Sequence, residues 1–285
     1  MRPFIAIARH LHGLGLSAPA ILAQDPALGL LLLEDLGDAL YARVVAADPA
    51  LEPTLYAAAV DLLAGLHRHP APAGVPAYDA AAMARLAGMA LEWYAPAATG
   101  APAPASADPA FVAQMEEALT AHAGPADVLV LRDFHAENLL WLPGRSGAAR
   151  VGLLDFQDGA RGCRGYDLIS LLEDARRDVP GPLRAAMIAR YAAATGQEPA
   201  AFTRACAVLA AQRNLRILGI FARLCLRDGK PGYVRLMPRV WAHLAGDLAH
   251  PALSPLRGAV MARLPAPTPE ICKAIEARCA TIPKP

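Results

Sequence analysis

The chain lacks a surplus of either charge: 27 basic against 26 acidic residues leave a formal +1. A general nucleic-acid binder carries a basic excess, so no nucleic-acid partner is expected. The five cysteines, Cys163, Cys206, Cys225, Cys272 and Cys279, contain no CxxC pair, so neither a zinc site nor a redox motif is indicated and the thiols are read as reduced. Uninterrupted apolar runs are short despite 55% hydrophobic residues, because 26 prolines break them. None approaches the roughly 18 residues a bilayer span needs, and no membrane partner is expected. Met1-Arg2-Pro3 leads straight into an amphipathic stretch with no signal-peptide pattern, which makes cytoplasm the default location. What is present, 285 residues, suffices for one large domain or two modest ones.

Residues 3–14 place Phe4, Ile7, Ala8, Leu11 and Leu14 at helical spacing, with Gly13 and Gly15 as stop signals. APAILA and GLLLLEDL then read as a β-hairpin over about 19–24 and 29–35. Helical spacing returns over 53–67, near 80–94 and over 109–122. The proline-, alanine- and glycine-rich stretches 70–79 and 95–109 are expected to be loops, the second one mobile. VLVL, LLWL and VGLLDF are three strand candidates within 30 residues. Beyond Tyr166 nearly everything is expected to be helical, over 165–177, 182–195, 199–228 and 232–249, with a short weak helix in the tail.

Polar residues interrupt the apolar strands of segment 128–158 at their ends. Asp133 follows the run 128–131, Asn138 precedes 139–142, and Asp155 closes 151–154. If the last two strands pair as a hairpin, two carboxylates and an amide oxygen reach neighbouring loop positions. Phosphoryl transfer needs such a set: an acidic group to orient or accept the hydroxyl proton, and hard oxygen ligands for Mg²⁺ on the triphosphate. The other reading is that these residues cap turns and strand ends. His10, His12, His67 and His69 lack metal-ligand partners and are read as structural or surface residues.

Leu131-Arg132-Asp133, four residues and Asn138, followed by Asp155-Phe156, resemble the aminoglycoside phosphotransferase-like branch of the protein-kinase-like fold. The resemblance implies an α+β fold with a reduced N-terminal lobe and a large, mainly α-helical C-terminal lobe. It further implies that Asp133 is the catalytic base, that Asn138 and Asp155 bind Mg²⁺, and that ATP is the donor. LLLEDLG at 31–37 resembles the hinge that holds adenine through backbone groups near Glu34 and Leu36. Gly165-Tyr166-Asp167-Leu168 resembles the segment whose Asp, here Asp167, braces the catalytic loop, although a helix cap is the alternative. His135 is expected to support the loop. LVLRDFHAENLLWL, LLDFQDG and the stretch 212–241 are similar to the anomeric N-acetylmuramate/N-acetylglucosamine kinase group of bacterial cell-wall recycling, which implies a small sugar as partner. Gln157, Asp158, Arg161, Arg213, Asn214 and Arg216 are the candidates for holding that sugar, with a solvated face or structural ion pairs as the alternative for Arg213 and Arg216.

A complete lobe of this family carries a Gly-rich loop, a strand lysine and a helix glutamate, and the first 18 residues contain no glutamate and no lysine. The expectation is a truncated first lobe: 1–37 as its remnant, 38–265 as the C-lobe and 266–285 as a tail. Alternatives to the sugar kinase are a non-catalytic pseudokinase or binding module, and a kinase for aminoglycosides or small amino alcohols. The last is disfavoured because residues 199–264 hold only Asp228 and Asp247 as acidic groups.

Overall fold

The computed structural model describes residues 1–102 and 108–284. In chain order its helices and strands are α1 (Arg2–Gly13), β1 (Ile21–Asp25), β2 (Leu30–Leu33), α2 (Tyr41–Ala47), α3 (Glu52–Leu66), α4 (Ala80–Ala87), α5 (Ala95–Thr99), α6 (Pro109–His122), β3 (Ala126–Val130), β4 (Leu139–Trp141), β5 (Val151–Leu153), β6 (Ala160–Cys163), α7 (Tyr166–Leu172), α8 (Gly181–Thr195), α9 (Pro199–Leu226), α10 (Met237–Asp247), α11 (Ser254–Arg263) and α12 (Pro269–Ala277). They form an α+β fold with few strands. Two compact units emerge, each assembled from separate pieces of chain: 1–78, 125–174 and 179–202 make one, and 79–124, 175–178 and 203–285 the other.

In the first unit three two-stranded antiparallel sheets carry the loops that matter. β1 and β2 pair through Ile21–Leu33 to Asp25–Leu30, and the Asp25 carboxylate accepts from the N–H groups of Ala27 and Leu28 to close their turn. β4 and β5 pair as the expected hairpin, Leu139 opposite Leu153 and Trp141 opposite Val151. Gly152 is required there, because a Cβ would stand 2.9 Å from that of Leu140. β3 pairs with β6, Val130 opposite Ala160. The sequence reading missed β6; its ARGC has no β-branched residue to announce it. Helix α3 buries Leu55, Ala59, Leu62, Leu63 and Leu66, the helical stripe expected from the sequence, and Tyr56, Val60 and Ala64 besides.

The second unit is helical. Helix α9 is long and apolar enough to cross a bilayer by composition, but 78% of its apolar window is buried within the fold, as in an ordinary core helix. At Gly219 it meets the turn before Ala90–Tyr94, a π-helical segment, so closely that a Cβ would lie 2.4 Å from the Met89 carbonyl carbon. Four expectations need correction. The loop predicted over 95–109 begins with a helix, α5, capped by left-handed Gly100, while its residues 103–107 lie outside the described residues. The helix predicted over 165–177 stops at Leu172. The segment 232–249 opens with a 3₁₀ stretch, Pro231–Leu236, because Pro231 and Pro238 restrict it. α2 and α11 were not foreseen.

Candidate active site

The loop from Leu131 to Asn138 leaves β3 and enters β4. Asp167, buried at the first turn of α7, fixes its beginning: one carboxylate oxygen accepts from the Leu131 N–H at 2.6 Å and the other from the Arg132 N–H at 2.9 Å. Two successive amides converge on one carboxylate, and Arg132 takes a left-handed φ of 71° there. That conformation costs a non-glycine residue about 1–2 kcal/mol, which the charge-assisted bonds offset. Ser170 of the same helix donates to the Arg132 carbonyl at 3.3 Å.

At the other end, the Asn138 N–H donates to the His135 carbonyl, and the Leu154 N–H donates to the Asn138 carbonyl, so the loop closes against β5. The Asn138 side-chain amide donates to the Asp133 carbonyl at 3.0 Å and reaches Asp155 Oδ2 at 3.4 Å. His135 Nε2 lies 3.4 Å from the same amide nitrogen, and its ring is buried. With Nδ2 committed to these contacts, Asn138 Oδ1 is left as the acceptor. Asp155 also stands at left-handed φ, 55°, and its Oδ1 accepts from Gln157 Nε2 at 2.6 Å. The Asp133 carboxylate makes no hydrogen bond among the described residues and is half-buried.

No group of three or more His, Cys, Asp or Glu side chains suited to a metal occurs among the described residues. An amide oxygen and one carboxylate nevertheless match Mg²⁺, which keeps several waters and takes most of its remaining ligands from phosphate oxygens. Asn138 Oδ1 and the Asp155 carboxylate would supply such a donor set.

The hinge segment follows β2. Its Glu34 side chain is engaged, with Oε1 accepting from Arg145 at 2.6 Å and Oε2 from the Ala20 N–H at 3.1 Å. Arg145 also donates to Ser17 Oγ at 2.7 Å, a tie sequence reasoning missed because its partners lie more than 100 residues away. The Glu34 carbonyl and the Leu36 N–H and carbonyl take no hydrogen bond among the described residues. Those are main-chain groups of the kind adenine recognition uses.

The remaining candidates separate. Asp158 is exposed, and its carbonyl accepts from Arg132 at 3.3 Å. Arg161 sits on the exposed face of β6, its main chain pairing with Leu129 and bridging to Ala77. Arg213 and Asn214 lie inside the second unit, both buried, and Asn214 Nδ2 donates to Asp247 at 3.0 Å. A solvated face is therefore excluded for Arg213; Arg216 is half-buried. His67 is a core residue. Its Nε2 donates to the Leu129 carbonyl at 3.1 Å, which can only accept, so Nδ1 accepts from Tyr191 at 2.6 Å. Burial lowers its pKa to about 3.

The family described as "Phosphotransferase enzyme family" (APH) matches residues 1–208. The chain belongs to that family. Among similar proteins, the N-acetylmuramate/N-acetylglucosamine kinase of Caulobacter vibrioides is 44% identical over 268 residues, 89% of this chain and 72% of the relative. That of Pseudomonas putida is 34% identical over 250 residues, covering 85% and 72%. A crystal structure of a choline/ethanolamine kinase family protein from Mesorhizobium loti matches with a TM-score of 0.60 at 17% identity, over 97% of this chain and 84% of that one. At that identity the likeness shows the fold alone, which is kinase-like.

Proposed function

We propose that the chain transfers the γ-phosphate of ATP to the anomeric C1 hydroxyl of N-acetylmuramate or N-acetylglucosamine. The observation that carries this is the unpartnered Asp133 carboxylate on the same loop as Asn138, whose amide reaches Asp155 at 3.4 Å, in a chain 44% identical to a kinase named for both sugars. Asp133 accepts a hydrogen bond from the C1 hydroxyl and takes its proton as the oxygen attacks the γ-phosphorus. The bond to the β–γ bridging oxygen breaks and ADP leaves. Asn138 and Asp155 hold Mg²⁺, which when bound neutralises charge on the triphosphate. Gln157 and Asn138 orient Asp155, and Asp167 holds the loop so that Asp133 needs no rearrangement. The free Glu34 and Leu36 main-chain groups receive the adenine edge.

A sugar fits better than a polycationic acceptor. The two acidic residues of 199–264 are both engaged: Asp228 pairs with Arg227 at 3.0 Å, and Asp247 accepts from Asn214. Replacing Asp133 with Asn should lower kcat by about 10²–10⁴-fold with the melting temperature kept, measured as sugar 1-phosphate formed from ATP. Turnover of the Asp133→Asn variant at the parent rate would overturn the assignment of the base, and consumption of ATP on another alcohol but neither sugar would overturn the substrate.

A further inference from the structure

A cavity of about 410 Å³ opens beside the catalytic loop, wholly within the first unit. Arg2 and Arg132 line it with Gln157, Asp158 and the loop at Gly74 and Val75. Its volume lies in the range of small-ligand pockets. Two of its lining residues tie it to the proposed site: Arg132 immediately precedes Asp133, and Gln157 donates to the Asp155 carboxylate at 2.6 Å.

The Arg132 side chain is held ready. Its guanidinium stacks over the Tyr78 ring at 4.9 Å and donates through one terminal nitrogen to the Asp158 carbonyl at 3.3 Å. Its Nε is buried with no hydrogen-bond partner, and no carboxylate lies within ion-pair distance among the described residues. A half-buried cation whose charge no carboxylate answers is costly unless a ligand supplies the opposite charge. Arg2 adds a second positive group, and Asp158 is the acidic side chain on the lining.

We propose that this cavity receives the carboxylate of an acidic amino sugar, and that Arg132 distinguishes N-acetylmuramate, which carries a lactyl carboxylate, from N-acetylglucosamine, which carries none. The proposal rests on the amino-sugar reading above. Arginine suits the task because its fixed fork meets both oxygens of a carboxylate, whereas lysine offers a point charge.

The test is calorimetric titration of the whole chain with each sugar, for the parent, Arg132→Lys and Arg132→Gln. In the parent, N-acetylmuramate binds more tightly than N-acetylglucosamine, and the preference weakens as salt rises. In Arg132→Gln the ratio of the two affinities falls by about 10-fold or more, with Arg132→Lys retaining part of it. Equal loss for both sugars in the Gln variant would show that Arg132 only shapes the loop and would overturn the proposal, as would a parent that binds both sugars alike. A parent that binds neither sugar fails the amino-sugar reading itself, and the proposal falls with it. Melting curves of both variants show whether the fold is kept.

Discussion

Asp167 acts on the site without touching the reacting atoms. Its two oxygens take two different main-chain amides, so Asp167→Asn presents an NH₂ group to one of those N–H donors. The loop should be destabilised by about 2 kcal/mol or more. A lower melting temperature with kcat reduced more than KM is the expected outcome. His67 supplies a pH dependence. Its folded pKa, about 3, lies below the ordinary value, so between pH 6.5 and about 3 the unfolded chain binds the extra proton. Its contribution to stability is therefore complete above pH 6.5 and is lost as pH falls through that window. His67→Gln should flatten the acid limb of a denaturation midpoint plotted against pH. Asp133, Asn138 and Asp155 were singled out in the sequence by their places at strand ends and by the resemblance of their motif, and in the fold the Asn138 amide stands 3.4 Å from Asp155. The meaning of Arg132 was not, since its left-handed backbone and buried Nε arise from Asp167 and Tyr78, 35 and 54 residues away.

At the scale of elements, the helices with clear apolar stripes, α1, α3 and α6, were readable to within a residue or two, and so was the β4–β5 hairpin. β6 was not, because its strand state comes from pairing with β3. α9 illustrates a different dependence. Gly219 contains no signal of its own, yet Met89 approaches it so closely that Gly219→Ala must displace main-chain atoms. A loss of about 1–3 kcal/mol is expected, read from urea midpoints. The β1–β2 hairpin is the opposite case, with Leu22, Leu28, Leu30 and Leu32 between 59% and 71% exposed. A short two-stranded sheet with one row of leucines in water is a template for association. Replacing Leu30 and Leu32 with Thr should reduce light scattering at high protein concentration while leaving the far-ultraviolet circular dichroism unchanged.

Across the whole molecule, charge offers little protection against that association. The formal +1 and a pI near 7.7 mean that self-repulsion is weakest close to neutral pH. Scattering by the parent chain should pass through a maximum between about pH 7 and 8 and fall on either side, while the Leu30/Leu32 double variant shows a smaller maximum. The kinase-like fold itself was legible from the motif order. The division into two interleaved units was not, because apolar periodicity reports which face is buried and says nothing of which distant segment buries it.

That interleaving bears on how the protein is made. The chain passes from one unit to the other at 78/79, 124/125, 174/175, 178/179 and 202/203. The buried His67 waits for Leu129 and Tyr191, and Asp167 is synthesised after the loop it holds. At bacterial-type elongation rates residue 202 follows residue 1 by roughly 10–40 s. α3 is complete at Leu66, but α8, which packs against it, ends only at Thr195, so on the ribosome its apolar face lacks a permanent cover for roughly 6–26 s of that interval, until about two-thirds of the chain has been translated.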